Sequence, residues 1–151
     1  MKGYQIGVID AMNEQIRLAE QPWHEVRAQF GTADSPAPPS GHGAMADLLV
    51  PAVRASFHAN ARGLAMLRSL RIYNALRQFK EKNGREATGL AELDLPKAAT
   101  IDPYSGEVLK LKLTDDGWMV YSVMTNGIDD GGDFKAHKDY GVAPPKRRLT
   151  E

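Results

Sequence analysis

The chain has no cysteine, no long apolar run and no excess charge of either sign. The lack of cysteine excludes disulfides, thiolate zinc sites, iron–sulfur clusters and cysteine nucleophiles. No window approaches the roughly 18 consecutive apolar residues that a membrane span needs. Nineteen basic and nineteen acidic side chains cancel, which argues against nucleic-acid binding. The remaining composition, 42% hydrophobic and 25% charged over 151 residues, is ordinary for a globular protein.

Residues 1–31 are predicted to form an N-terminal helix. Pro22 interrupts it, because proline lacks a backbone donor and clashes with the preceding turn, so we expect a kink or a new helix there. Residues 32–44 are rich in proline and glycine and have the composition of a linker. The helical prediction rests on apolar residues that recur at steps of three and four: Ile9, Met12, Ile16, Ala19, Trp23, Val26 and Phe30.

A longer helix is predicted for residues 45–84. Pro51 lies near its expected start, and Asn83-Gly84 is a suitable C-terminal stop. A helix of about 55 Å at 1.5 Å per residue needs a covering element. We therefore expect the N-terminal helix to fold back on it as an antiparallel helical hairpin. The apolar stripe of the long helix is Leu49, Val53, Phe57, Leu64, Leu67, Ile72, Leu76 and Phe79.

Residues 85–143 are predicted to form a small antiparallel β domain with an acidic loop. Leu109, Leu111 and Leu113 alternate with lysines, which is the period-two pattern of a half-buried strand. Residues 118–124 are the expected partner strand, joined through a hairpin loop at 114–117. Residues 144–151 form a basic tail. The predicted fold class is α+β, with long N-terminal helices packed on a small antiparallel sheet.

The densest polar stretch follows the second predicted strand. It contains Asn126, Asp129, Asp130 and Asp133 among several glycines, and Asp139 follows. Clustered carboxylates repel one another unless a cation or water screens them. Calcium takes hard oxygen ligands and tolerates irregular geometry, so a calcium-binding loop is one interpretation. The spacing is not that of an EF-hand, and a solvated acidic turn is the alternative.

No catalytic constellation is apparent. The four histidines, His24, His42, His58 and His137, have no zinc-ligand spacing. Neither Ser105 nor Ser122 lies in a nucleophile elbow, since Ser105 belongs to a turn and Ser122 to a strand. We therefore expect a protein that is not an enzyme and has no catalytic residues.

The segment from about Leu70 to Val142 resembles the C-terminal part of the major pseudopilins of type II secretion systems and related bacterial envelope proteins. The similar features occur in the family's order. They are the helix end LRIYNALRQFKEKNGREATGLAELDL, the turn Asp102-Pro103-Tyr104-Ser105-Gly106, the strand and glycine-rich acidic loop YSVMTNGIDDGGD, and Asp139 as a closing aspartate. The similarity covers about half of the chain.

The resemblance implies a long helix packed on a small sheet and a calcium-bound loop after the sheet. The implied ligands are Asn126, carboxylates among Asp129, Asp130, Asp133 and Asp139, and carbonyls near residues 122–124. Met124 stands where the family usually has glycine. The family's cleavage motif and apolar N-terminal helix are not found here, so the resemblance does not extend to fibre assembly.

The function that we expect from the resemblance is a structural or scaffolding domain of the bacterial envelope, with protein partners or self-association. A periplasmic location is expected if the sequence is part of a longer, membrane-anchored protein. The alternative is a protein-interaction module that uses the helical hairpin and binds no metal.

Overall fold

The computed structural model describes residues 9–10, 12–14, 16–18, 21–30, 44–135 and 138–145. The chain divides into two compact units, Met1–Ala61 and Arg62–Glu151. The predicted linker at 32–44, except for residue 44, and the tail beyond residue 145 lie outside the described residues. Within the described part of the chain, no helix is both long and apolar enough to cross a bilayer.

The described residues of the N-terminal unit lie mainly in helices. Residues 9–10, 12–14 and 16–18 are helical, and helix α1 (Trp23–Phe30) begins directly after Pro22. Pro22 accepts a hydrogen bond from the Glu25 amide through its carbonyl at 3.0 Å, so it starts the new helix without having to donate. The Trp23 ring stacks on Phe57, with 6.5 Å between centroids. These two aromatic rings are thus used for packing inside the unit.

Helix α2 (Ala44–Asn83) is the longest element among the described residues. It starts close to the predicted residue, but Pro51 lies inside the helix rather than near its start. Its end follows the Asn-Gly signal: Gly84 has φ 68°, and its amide donates to the Lys80 carbonyl at 2.9 Å. Glycine adopts this left-handed conformation without the steric cost that a Cβ would add.

The chain turns back after α2 through a segment that an ion pair holds. Arg85 Nη2 lies 2.7 Å from Glu92 Oε1, and Glu92 Oε2 also accepts the Thr88 amide at 2.7 Å. The hydrogen bond from Arg85 is the main reason that the pKa of Glu92 falls to about 2. Two short 3₁₀ turns follow, Leu90–Glu92 and Lys97–Ala99.

Three antiparallel strands form the sheet, in the order β1-β2-β3. They are β1 (Lys110–Thr114), β2 (Gly117–Ser122) and β3 (Tyr140–Val142). Thr114 pairs with Gly117, and Val120 pairs with both Leu111 and Val142. The β1–β2 hairpin lies where the alternating pattern predicted it, whereas β3 was not predicted.

The core of the C-terminal unit lies between α2 and the sheet. Ile72 and Leu76 from α2 pack with Leu109 and with Val120 from β2, all at most 1% exposed. The general prediction of an α+β fold is confirmed. The antiparallel hairpin and the likeness to a pseudopilin remain predictions.

Candidate functional site

A buried carboxylate organises the region where β2 ends. Asp102, which is 1% exposed, accepts hydrogen bonds from the Tyr104 amide at 2.9 Å and from the Ser122 hydroxyl at 2.7 Å. Its second oxygen accepts the Val123 amide at 3.1 Å. The charge is therefore buried with three donors around it, which offsets part of its desolvation cost. The Asp-Pro-Tyr turn is thus fixed to the start of the acidic loop.

The sequence reasoning did not find this connection. The bond from the Tyr104 amide stays within the turn that Asp102 begins. The bonds to Ser122 and Val123 cross 20 and 21 residues, and no local pattern signals them. Ser122 extends this hydrogen-bond network to the next residues, because its hydroxyl oxygen accepts the Met124 amide at 3.2 Å.

The loop then leaves β2 through an unusual backbone conformation. Met124 has φ 53°, and it is the only non-glycine residue with a positive φ in the part of the chain that the structure describes. Gly127, Gly131 and Gly132 follow with φ of 69°, 74° and 81°. A Cβ on Gly132 would collide with the Met119 side chain. This sequence of left-handed residues folds the loop back toward the sheet.

Asp129 and Asp130 have hydrogen-bond partners within this loop. Asp129 Oδ1 accepts the Tyr121 hydroxyl at 2.9 Å and the Gly131 amide at 3.0 Å. Asp130 Oδ2 accepts the Asn126 amide nitrogen at 2.8 Å, and Lys138 Nζ lies 3.9 Å from its other oxygen. Burial, and then the hydrogen bond to Asp129, raise the pKa of Tyr121 well above its usual range.

Asp139 is the buried member of the group. It is 1% exposed, and one carboxylate oxygen, Oδ2, accepts the Gly132 amide at 2.8 Å. The other, Oδ1, accepts no hydrogen bond of ordinary distance and angle among the described residues, although the nearby Asp130 amide also favours the charged form of this carboxylate. Burial raises the pKa of Asp139, and the charges of Asp129 and Asp130 add to the rise, whereas the Gly132 and Asp130 amides oppose it. Three carboxylates therefore act on one another here.

The remaining two predicted ligands are less closely connected to Asp139. Asn126 reaches the group only through Asp130, and its Oδ1 accepts the Ile128 amide at 3.1 Å. The Asp133 carboxylate accepts the Lys135 amide at 3.0 Å, while its backbone carbonyl accepts the Asp139 amide at 3.1 Å. No cluster of three or more acidic or histidine side chains with metal-binding geometry occurs among the described residues. The metal role of all five residues stays a prediction.

The side chains of this group are of the types that bind hard cations, although their arrangement is not that of a metal site. One carboxylate oxygen of Asp139 accepts no hydrogen bond of ordinary geometry. The negative charges of Asp129 and Asp130 also raise the pKa of this carboxylate. The glycine-rich backbone also brings carbonyls into the loop; one of them, Gly131, accepts Lys112 Nζ at 2.8 Å. Carboxylates with carbonyls are the ligand set that calcium prefers. Asp129, Asp130 and Asp139 supply carboxylates of this kind, but their positions in the structure are not those of a metal-binding group.

Neither of the histidines within the described residues belongs to this group. His58 lies beside Trp23, with ring centroids 4.2 Å apart, and burial followed by the charge of Arg54 lowers its pKa. His24 lies 3.7 Å from Glu25. Both are in the N-terminal unit, while His42 and His137 lie outside the described residues.

Comparisons of the chain with protein-family models, with curated proteins and with solved structures found no match.

Proposed function

We propose that the protein is a non-enzymatic structural domain of the bacterial envelope, similar to a pseudopilin, whose acidic loop is ordered by calcium. The observation that carries the proposal is the buried Asp139 carboxylate, whose Oδ1 accepts no hydrogen bond of ordinary geometry and which has two neighbouring acidic side chains. A buried oxygen of this kind costs free energy unless a donor or a cation meets it. Calcium would supply that partner.

Asp139, Asp130 and Asp129 would hold the ion, and backbone carbonyls of the loop would complete its oxygen shell. Bound calcium would neutralise the mutual repulsion of the carboxylates. Lys138, which now lies 3.9 Å from Asp130, would move away from the ion because like charges repel. The Asp102 network and the positive φ of Met124 position the start of the loop before any ion binds.

A thermal melt in calcium, compared with one in a chelator, tests the proposal. Binding that is confined to the folded state stabilises by about 2.7 kcal/mol at a hundredfold excess over Kd. For a chain of this size, that is a rise in Tm of roughly 5–10 °C. An equal Tm in calcium and in chelator would remove the metal from the proposal.

The Asp139→Asn variant distinguishes an effect on calcium binding from an effect on the stability of the fold. Asparagine keeps an oxygen for the Gly132 amide but loses the charge whose burial is unfavourable, since burial raises the Asp139 pKa. We expect Asp139→Asn to be at least as stable as the parent in chelator and to lose the calcium shift. Asp115→Asn, in the exposed hairpin loop, is the matched control and should keep the shift. A shift retained in Asp139→Asn would contradict the assigned ligand.

A further inference from the structure

The sequence contains two Asn-Gly dipeptides, Asn83-Gly84 and Asn126-Gly127. Asparagine is a chemically labile side chain. When glycine follows it, the glycine nitrogen can attack the side-chain carbonyl carbon, because no Cβ on the glycine obstructs the approach. Both asparagines and both glycines are exposed to water. Exposure therefore does not distinguish the two dipeptides, whereas their hydrogen bonds do.

The first dipeptide is held by the end of helix α2. Asn83 is the last residue of the helix, and its side-chain Nδ2 donates to the Phe79 carbonyl at 2.9 Å. The Gly84 amide donates to the Lys80 carbonyl at 2.9 Å. An attack by the Gly84 nitrogen on the Asn83 side chain therefore requires that both bonds break and that the helix end opens.

The second dipeptide lies in the acidic loop, where the nucleophile is not held in this way. The Gly127 amide donates no backbone hydrogen bond to another described residue. The Asn126 side-chain oxygen accepts the Ile128 amide at 3.1 Å. This bond polarises the side-chain carbonyl and would stabilise the negative oxygen that forms when a nucleophile adds to it. The side-chain nitrogen donates to Asp130 at 2.8 Å, and the reaction breaks that bond.

We propose that Asn126-Gly127 is a site of self-modification, at which Asn126 becomes aspartate or isoaspartate in water, whereas Asn83-Gly84 is protected while α2 is folded. The modification needs no enzyme and no redox partner. It also does not depend on calcium binding by the loop, so it stands or falls separately from the proposed function.

The reaction has two steps. In the first, the Gly127 nitrogen bonds to the Asn126 Cγ and gives its proton to solvent, while the bond from Cγ to Nδ2 breaks and Nδ2 takes up a proton and leaves as ammonia. In the second, water opens the cyclic imide. Cleavage between the Gly127 nitrogen and Cγ gives aspartate, and cleavage between this nitrogen and the Asn126 backbone carbonyl carbon gives isoaspartate. The sum is asparagine and water converted to the acid and ammonia.

The product changes the acidic loop at a defined contact. The hydrogen bond from Asn126 to Asp130 is replaced by two carboxylates, which repel each other. In the isoaspartate product, the main chain also runs through the former side chain and is longer by one carbon. The loop thus gains a negative charge and loses one of the hydrogen bonds that hold it.

Peptide mapping by mass spectrometry tests the proposal on the full chain. The protein is kept in mildly alkaline buffer with a chelator at physiological temperature, and each Asn-Gly peptide is scored for the mass gain that replacing NH2 by OH gives. We expect Asn126 to react at least about tenfold faster than Asn83, because Asn83 reacts only when the helix end opens. Asn126→Gln should abolish the mass gain in its peptide, since its longer side chain closes a less favourable ring.

The same chain in guanidinium chloride is the matched control, because it keeps both dipeptides but loses their hydrogen bonds. We expect the two rates to become similar there. Equal rates at Asn83 and Asn126 in the folded chain would overturn the proposal. So would an unchanged preference for Asn126 in guanidinium chloride, since the neighbouring sequence rather than the fold would then decide.

Discussion

At the residue scale, one buried carboxylate connects three parts of the C-terminal unit. Asp102 joins a turn, the end of β2 and the start of the acidic loop through three hydrogen bonds. We expect Asp102→Asn to lower the free energy of unfolding by about 2 kcal/mol. The side-chain NH2 group of asparagine is a hydrogen-bond donor, and it would point at groups that are themselves donors. Urea denaturation measures this change.

Asp94→Asn is the control for that change, because Asp94 is exposed and substitutions at such positions usually stay within about 0.5 kcal/mol. An Asp102→Asn variant as stable as the control would show that the three bonds contribute little net stability. In that case the backbone conformation alone would position the acidic loop.

Met124 combines a left-handed backbone with a buried side chain. Its φ is 53° and its exposure is 8%, so replacing it removes packing in every case. Comparing Met124→Gly with Met124→Ala cancels most of that loss and leaves the backbone effect. We expect the glycine variant to be more stable than the alanine variant by about 1 kcal/mol, measured by urea denaturation. The usual order, with alanine more stable, would mean that the loop relaxes to another conformation.

At the element scale, β3 depends on one glycine. A Cβ on Gly141 would collide with the Val120 carbonyl and lie 2.6 Å from the Tyr121 Cα, both on the neighbouring strand. We expect Gly141→Ala to separate β3 from β2 and to lower the free energy of unfolding by about 2–3 kcal/mol. Amide hydrogen exchange should speed up between β2 and β3 more than between β1 and β2.

The control for this prediction is Gly63→Ala in α2, where a Cβ meets nothing within 4 Å. That variant should gain up to about 1 kcal/mol from helix propensity. Unchanged hydrogen exchange of β3 in Gly141→Ala would contradict this prediction. It would mean that β3 accommodates the added Cβ without separating from β2.

The elements that sequence reasoning predicted are those with a local signal. The alternation of Leu109 and Leu111 with lysines indicated β1, and both leucines pack in the core. Leu113 continues the alternation but is 52% exposed and lies outside the core cluster. β3 has only three residues, Tyr140-Gly141-Val142, which is too short to show a period and has glycine at its centre. The burial of Asp139 was equally invisible, since it depends on the chain returning to the sheet.

At the scale of the whole molecule, each of the two units contains one tryptophan whose fluorescence can report on that unit alone. The chain has two tryptophans: Trp23 belongs to the N-terminal unit and Trp118 packs against the core of the C-terminal unit. His58, whose pKa is lowered by burial, is also in the N-terminal unit. Removing one tryptophan at a time therefore allows the pH response of each unit to be followed by itself.

We expect acid to weaken the N-terminal unit through His58. Burial, and then the charge of Arg54, lower the pKa of His58 below its usual value of 6.5, so the folded unit favours the neutral ring. The stability that this provides is complete above pH 6.5 and is lost as the pH falls through the lower folded pKa. In a Trp118→Phe background, the Tm reported by Trp23 fluorescence should therefore fall as the pH drops below about 6.5. His58→Gln should flatten this dependence, whereas His24→Gln, which removes the neighbour of Glu25, should not. If the slope persisted in His58→Gln, the titration would belong to another group.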